Sequence, residues 1–134
     1  MNNYEKPIVL SSEELAEGVY LASGGSGNGC FSYVDYSGGN FSTADEYYEY
    51  NVRFKHADEA HMNCTHKITI YFSSTPLDAQ CVTNCSGASI SGNSVTVTWA
   101  QAQANGGGEY ANIGIKVKWS GATGVPTGGY GWKE

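Results

Sequence analysis

Eleven consecutive residues, 56–66, hold the side chains best suited to binding a metal ion. All three histidines of the chain occur there, together with two acidic residues and one cysteine: His56, Asp58, Glu59, His61, Cys64 and His66. Imidazole and carboxylate groups in one loop can bind zinc or copper. The spacing matches no structural zinc pattern, however, and we expect Cys64 to be in a disulfide. We therefore interpret residues 56–66 as a solvated loop, expect no metal or other cofactor, and keep the three histidines as alternative ligands.

The four cysteines, Cys30, Cys64, Cys81 and Cys85, can be joined in three ways. Cys81 and Cys85 can close one short loop, which would leave Cys30 with Cys64 and link the first strand to a later one. Alternatively, Cys81 or Cys85 reaches across to another strand. Because disulfides persist in oxidising compartments, four cysteines in a small domain predict an extracellular protein, secreted or at the cell surface.

Five aromatic residues are candidates for contact with a ligand: Tyr36, Tyr47, Tyr71, Tyr130 and Trp132. The first two flank a loop rich in Gly, Ser and Thr, the third shares a strand face with polar residues, and the last two lie in a Gly-rich tail. Rigid amphipathic rings on a polar surface can stack on sugars or on side chains of a partner. The alternative is that the strand surfaces of this chain are simply rich in tyrosine.

Catalytic chemistry finds little support in the sequence, and we predict that the protein is not an enzyme. A nucleophile needs an oriented base, but the histidines share one stretch with no obvious Ser or Cys partner motif. The glycines at 106–108 lack the strand-to-helix context of a phosphate-binding loop. A carboxylate pair for glycoside hydrolysis stays open, although the acidic residues lie in polar loops and on strand surfaces.

Charge and hydropathy argue against nucleic-acid binding and against a membrane span. The 134-residue chain carries a formal net charge of −6, with no cationic footprint for nucleic acid. No apolar run approaches the roughly 20 residues of a membrane span. The first 25 residues lack the basic and apolar regions of a Sec-type signal peptide, so we expect a different route of export.

Alternating apolar and polar residues predict an all-β domain from residue 26 to residue 134. Four strands show this alternation clearly, and their apolar positions are Tyr48, Tyr50, Val52 and Phe54; Ile68, Ile70 and Phe72; Val95, Val97 and Trp99; and Ile113, Ile115, Val117 and Trp119. Trp99 and Trp119 are therefore expected in the core. Gly92 and Asn93 predict a tight turn. Several short strands with turn-rich spacers are typical of an antiparallel β-sandwich with an immunoglobulin-like architecture.

The run GNSVTVTWAQAQANGGGEYANIGIKVKWSGATGVPTG resembles the C-terminal half of family 2 carbohydrate-binding modules, and the similarity extends over residues 45–128. The resemblance implies a β-sandwich that binds cellulose, xylan or chitin by stacking exposed Trp residues on sugar rings. The regions that correspond to the family's Trp positions hold Tyr36, residues 81–86 and residues 101–105. These regions contain no Trp, and the disulfide that joins the family's termini is also absent, so crystalline cellulose is not the expected ligand.

Residues 1–25 are predicted to be a separate, leader-like segment, and the pattern of a helix N-terminus occurs within it. Ser11 can cap a helix, Glu14 completes a capping box, and Leu10 and Leu15 are placed for a hydrophobic staple. An apolar stripe follows before two glycines end the pattern.

This segment resembles the double-glycine leaders of peptides exported by peptidase-containing ABC transporters, and the matching residues are Leu10, Ser11, Glu14, Leu15, Val19, Ala22, Gly24 and Gly25. The resemblance implies recognition by the transporter's peptidase and cleavage after Gly25. The alternatives are a short N-terminal helix or strand that stays packed on the domain, or pairing of residues 7–10 with the sheet edge of a neighbouring molecule.

We predict a secreted, non-catalytic bacterial binding module that contacts a polysaccharide or cell-surface glycan through exposed Tyr and Trp rings. Two other functions stay open. One is a structural subunit that self-assembles into a homo-oligomer by docking residues 7–22 on a neighbour. The other is an exported, bacteriocin-like ribosomal peptide.

Overall fold

The computed structural model describes residues 29–57, 60–104 and 109–134. The predicted leader, its recognition residues (Leu10, Leu15, Val19, Ala22, Gly24 and Gly25), the short N-terminal helix and the docking segment 7–22 lie outside the described residues. Within the described ranges, no helix is long and apolar enough to cross a membrane.

Eight β-strands make up the regular structure of the described residues. Their bounds are β1 Gly29–Phe41, β2 Tyr48–His56, β3 His66–Phe72, β4 Pro76–Thr83, β5 Cys85–Ser91, β6 Ser94–Trp99, β7 Tyr110–Trp119 and β8 Pro126–Lys133. Every strand pairing is antiparallel. The predicted all-β, antiparallel class is therefore confirmed.

The strands form one sheet in the order β4-β7-β2-β1-β8-β3-β6-β5. Its two edge strands, β4 and β5, follow each other in the chain and lie in contact, so the sheet is nearly closed in a barrel-like shape. Asn84 turns the chain between them with a positive φ of 64°, a conformation that Asn tolerates better than most residues. The sheet is continuous, so the expected division into two packed sheets is not confirmed. The bulges in β1, β4 and β5 supply bends that closure of such a sheet needs.

The core lies inside this curved sheet and is built by the predicted alternation. Strand β2 alternates throughout, with Tyr50, Val52 and Phe54 buried and the residues between them exposed. The inward residues of β3, β6 and β7 are likewise buried, and Trp99 is among them. Trp119, at the end of β7, is only half-buried and packs against the core residues, so its expected place in the core is not confirmed. The tight turn is also confirmed, because Gly92 and Asn93 connect paired residues of β5 and β6.

Strand β8 lies in the middle of the sheet, between β1 and β3, and glycines occupy its inward positions. A Cβ added to Gly129 would lie 3.1 Å from the Phe54 ring and would clash with the carbonyl oxygen of Thr69. A Cβ on Gly131 would lie 2.8 Å from the Cβ of Phe31. Core rings therefore fill the volume that side chains on β8 would otherwise occupy.

We expect Gly129→Ala to lower the free energy of unfolding by about 1–3 kcal/mol, because overpacking forces the core rings or the backbone of β3 to move. Gly128→Ala is the matched control, since a Cβ there meets no atom within 4 Å. Urea denaturation of the two variants measures the difference. Equal stabilities would contradict the close packing of β8 against the core.

Candidate functional site

Three of the five candidate ligand-binding rings lie together on the outer face of the sheet. Tyr71 on β3 and Tyr130 on β8 have ring centroids 6.1 Å apart, and Tyr130 and Trp132 stack with centroids 5.2 Å apart. We call this row of three rings the aromatic strip. Tyr71 is 44% exposed and Tyr130 is 41% exposed, while Trp132 is half-buried.

The alternation of β8 explains why the strip faces outward. Because Gly129 and Gly131 face the core, Tyr130 and Trp132 must point to the opposite side. The register with β3 pairs Tyr130 with Thr69 and Trp132 with Lys67, which sets both rings beside the outer face of that strand. The sequence pattern GGYGW, interpreted as part of a Gly-rich tail, is thus part of a central strand.

Polar groups lie beside the aromatic strip on β3 and β6. The Thr69 hydroxyl is 2.7 Å from the Thr96 hydroxyl across the strand pair, and Thr98 lies opposite Lys67. Hydroxyl and ammonium groups next to exposed rings provide hydrogen-bonding partners for a ligand that stacks on those rings.

The two remaining candidates do not join the strip. Tyr36 is 38% exposed on β1, and its nearest ring neighbour is the buried Tyr50, with centroids 6.2 Å apart. Tyr47 is only 9% exposed, so the expectation of an exposed ring there is wrong. Its hydroxyl donates a hydrogen bond to Asp78, which raises the pKa of Tyr47, and Gln80 donates to the same hydroxyl.

The interpretation of the histidines as parts of a solvated loop is wrong. Cys30, His56, His61 and His66 are all buried, and one potential ligand atom from each lies within 4.8 Å of the others. We call these four residues the histidine cluster. The alternation in the sequence already indicates that two of these histidines are buried. His56 is two residues after the inward-facing Phe54, and His66 is two residues before the inward-facing Ile68, so both face the core.

Antiparallel pairing gathers the cluster at one end of the sheet. Cys30 is near the start of β1, which pairs with the end of β2, where His56 lies. His66 begins β3 and pairs with Lys133 at the end of β8, whose neighbour on the other side is again β1. His61 is carried by the connection between β2 and β3, and its backbone forms two hydrogen bonds with Ala104.

Each histidine ring in the cluster makes defined contacts. The His61 Nδ1 and His66 Nε2 atoms are 3.0 Å apart, and the His56 Nδ1–H donates to the Ala57 carbonyl oxygen at 2.9 Å. The Phe31 ring packs edge-to-face against the His56 ring, and the two ring centroids are 4.7 Å apart. Burial, reinforced by the charges of the neighbouring His61 and His56, lowers the pKa of His66 to about 4. The imidazole of His66 is therefore neutral at pH 7.

The cysteines divide into one disulfide and two thiols. Cys81 and Cys85 are bonded, as in the first predicted pairing, and the bond joins the two edge strands β4 and β5. The companion bond between Cys30 and Cys64 is not formed. The two thiols have different neighbours. The Cys30 thiol belongs to the buried histidine cluster, whereas the Cys64 Sγ atom lies 3.9 Å from Nδ1 of His66, the ring nitrogen that does not contact His61.

Comparison with known protein families and with curated proteins finds no match to this chain. The resemblances to carbohydrate-binding modules and to double-glycine leaders therefore remain predictions from the sequence pattern.

We expect the protein to lose stability as the pH falls from about 6.5 to about 4 when a chelator keeps metal ions away. In that window the unfolded chain protonates His66 at its ordinary pKa of 6.5, while the folded state keeps the ring neutral. The free energy of unfolding should fall by about 2 kcal/mol between pH 7 and pH 5. Urea denaturation at the two pH values measures it, and an NMR titration of the His66 ring with a midpoint near 6.5 would contradict it.

Proposed function

We propose that the protein is a non-catalytic binding module that holds a glycan or another cell-surface polymer on the aromatic strip. The observation that carries the proposal is the assembly of Tyr71, Tyr130 and Trp132 into one row on the outer face of the sheet. Tyr71 is far from the other two residues in sequence, and the pairing of β3 with β8 brings the three rings together.

The chemistry of the strip fits a sugar better than a charged or fully apolar ligand. The C–H faces of a sugar ring pack on aromatic rings, and its hydroxyls need donors and acceptors nearby. Lys67, Thr96 and Thr98 supply such groups on the same face. The formal net charge of −6 disfavours a strongly anionic polymer.

The rigidity of the strip also favours binding. Tyr130 and Trp132 lie on a strand that is hydrogen-bonded on both sides, to β1 and to β3. Rings held in this way lose little conformational freedom when a ligand binds, so less of the contact energy is lost to ordering.

The proposal includes an extracellular location, secreted or at the cell surface, and export by a peptidase-containing ABC transporter. The Cys81–Cys85 disulfide is compatible with an oxidising compartment. Self-assembly through residues 7–22 and a bacteriocin-like activity remain alternatives, both of which depend on residues outside the described ranges.

Trp132→Ala and Tyr71→Ala should each weaken binding to an insoluble polysaccharide about tenfold, because each removes a stacking contact of about 1 kcal/mol or slightly more. The measurement is a saturable pull-down on xylan, chitin and bacterial cell-wall polysaccharide, with unchanged thermal unfolding as the check on folding.

Tyr36→Ala is the matched control for that experiment, because Tyr36 is similarly exposed but lies outside the strip. Its binding should equal that of the unmodified protein. Retention on none of these polymers, or equal losses in Tyr36→Ala and Trp132→Ala, would count against the proposal.

A further inference from the structure

We propose that the histidine cluster is a zinc site, in which Cys30, His56, His61 and His66 bind one Zn²⁺ ion in a closed, four-coordinate arrangement. This inference is independent of the proposed function, because the cluster is buried at one end of the sheet and contains none of the rings of the aromatic strip.

The number, type and spacing of the donor atoms match zinc. Structural zinc sites have four nitrogen or sulfur ligands in tetrahedral geometry, with bonds of about 2.0–2.1 Å to nitrogen and about 2.3 Å to sulfur. Those bonds place neighbouring donors about 3.3–3.6 Å apart. The four donors here lie within 4.8 Å of one another, and His61 Nδ1 is already 3.0 Å from His66 Nε2. Small side-chain rotations would therefore close the set on one ion.

One hydrogen bond at the cluster sets the tautomer of a candidate ligand. The His56 Nδ1–H donates to the Ala57 carbonyl, which fixes the tautomer that keeps a lone pair on Nε2. Ligating histidines in metalloproteins almost always donate a hydrogen bond from the N–H of their other ring nitrogen in this way. Cys64 Sγ lies 3.9 Å from His66 Nδ1 and so acts as a positioning residue for the ring whose Nε2 faces His61.

The charge balance of the site is compatible with a bound cation. Cys30 must bind as a thiolate, so the entry of Zn²⁺ transfers one proton from its thiol to water and leaves the site with a net charge of +1. No electron transfer is involved. The absence of an open position in a set of four protein ligands makes the site structural rather than catalytic.

The position of the site gives the ion a clear structural effect. Its ligands come from β1, β2, β3 and the connection between β2 and β3, so one ion would hold that connection to three strands of the sheet. His61 is the ligand carried by the connection, and the backbone bonds of His61 to Ala104 would be held with it.

The test uses the full chain produced in zinc-supplemented medium and purified without chelator. Native mass spectrometry and elemental analysis should find one zinc per chain and one disulfide, and removal of zinc should lower the melting temperature. A zinc-free chain with a second disulfide between Cys30 and Cys64 would overturn the proposal. Copper in place of zinc would overturn the identity of the metal.

Cobalt substitution tests which residues are ligands. The Co²⁺ protein should show a thiolate-to-cobalt charge-transfer band and the intense visible bands of tetrahedral cobalt. Cys64→Ser is the matched control for Cys30→Ser: the first should keep the charge-transfer band, with metal affinity reduced by at most about 10- to 100-fold, whereas the second should lose the band. The reverse result would contradict the assignment.

His61→Asn covers the case in which Cys30→Ser fails to fold, because His61 lies on a connection rather than in a strand. Loss of a direct ligand should weaken Zn²⁺ binding by more than the 10- to 100-fold expected for an outer partner such as Cys64. Equal zinc affinity in His61→Asn and in the unmodified protein, measured by competition with a chelating dye, would overturn the four-ligand site.

Discussion

The packing of core rings against the backbone of β8 is the constraint on which the rest of the structure depends. Phe31 and Phe54 fill the space inside β8, so only glycine fits at positions 129 and 131. That requirement fixes which residues of β8 face the core. The alternating residues, Tyr130 and Trp132, therefore lie on the outer face. Because β8 lies between β1 and β3, it also joins the two halves of the sheet.

The two candidate sites are linked through the same strand. Trp132 pairs with Gly29 on β1 and with Lys67 on β3, the neighbours in sequence of Cys30 and His66. A group that holds Cys30 and His66 together therefore also holds the strands on both sides of Trp132. The buried cluster and the aromatic strip face opposite sides of the sheet but depend on one register.

Much of the strand core could be predicted from the sequence, since alternation over β2, β3, β6 and β7 is unbroken. Closure of the sheet could not, because the pairing of distant strands and the bulges that bend them leave no periodic signal. Strand β8 could not be predicted either. Its inward positions are Gly129 and Gly131, which have no side chain, so the strand shows no alternation of apolar and polar residues. Only the packing of Phe31 and Phe54 from other strands explains those glycines.

The histidine cluster shows a different limit of sequence reasoning. His56 and His66 share the inward phase of their strands, but a polar residue at a strand end is ordinarily assigned to solvent. The sequence predicts a disulfide for Cys30 because it shows only the spacing to other cysteines, whereas the position of Cys30 beside the histidines depends on antiparallel pairing. The three-dimensional set therefore combines residues that the linear pattern assigned to separate roles.

The most direct test of the account is an NMR titration of the three tryptophan indole N–H signals with soluble xylan or chitin oligosaccharides. The three indoles occupy different environments: Trp99 is in the core, Trp119 at its edge and Trp132 in the aromatic strip. Binding on the aromatic strip should give a saturable shift of the Trp132 signal and leave the Trp99 signal unchanged. Saturable binding that leaves the Trp132 signal in place, or no binding of either oligosaccharide, would contradict it.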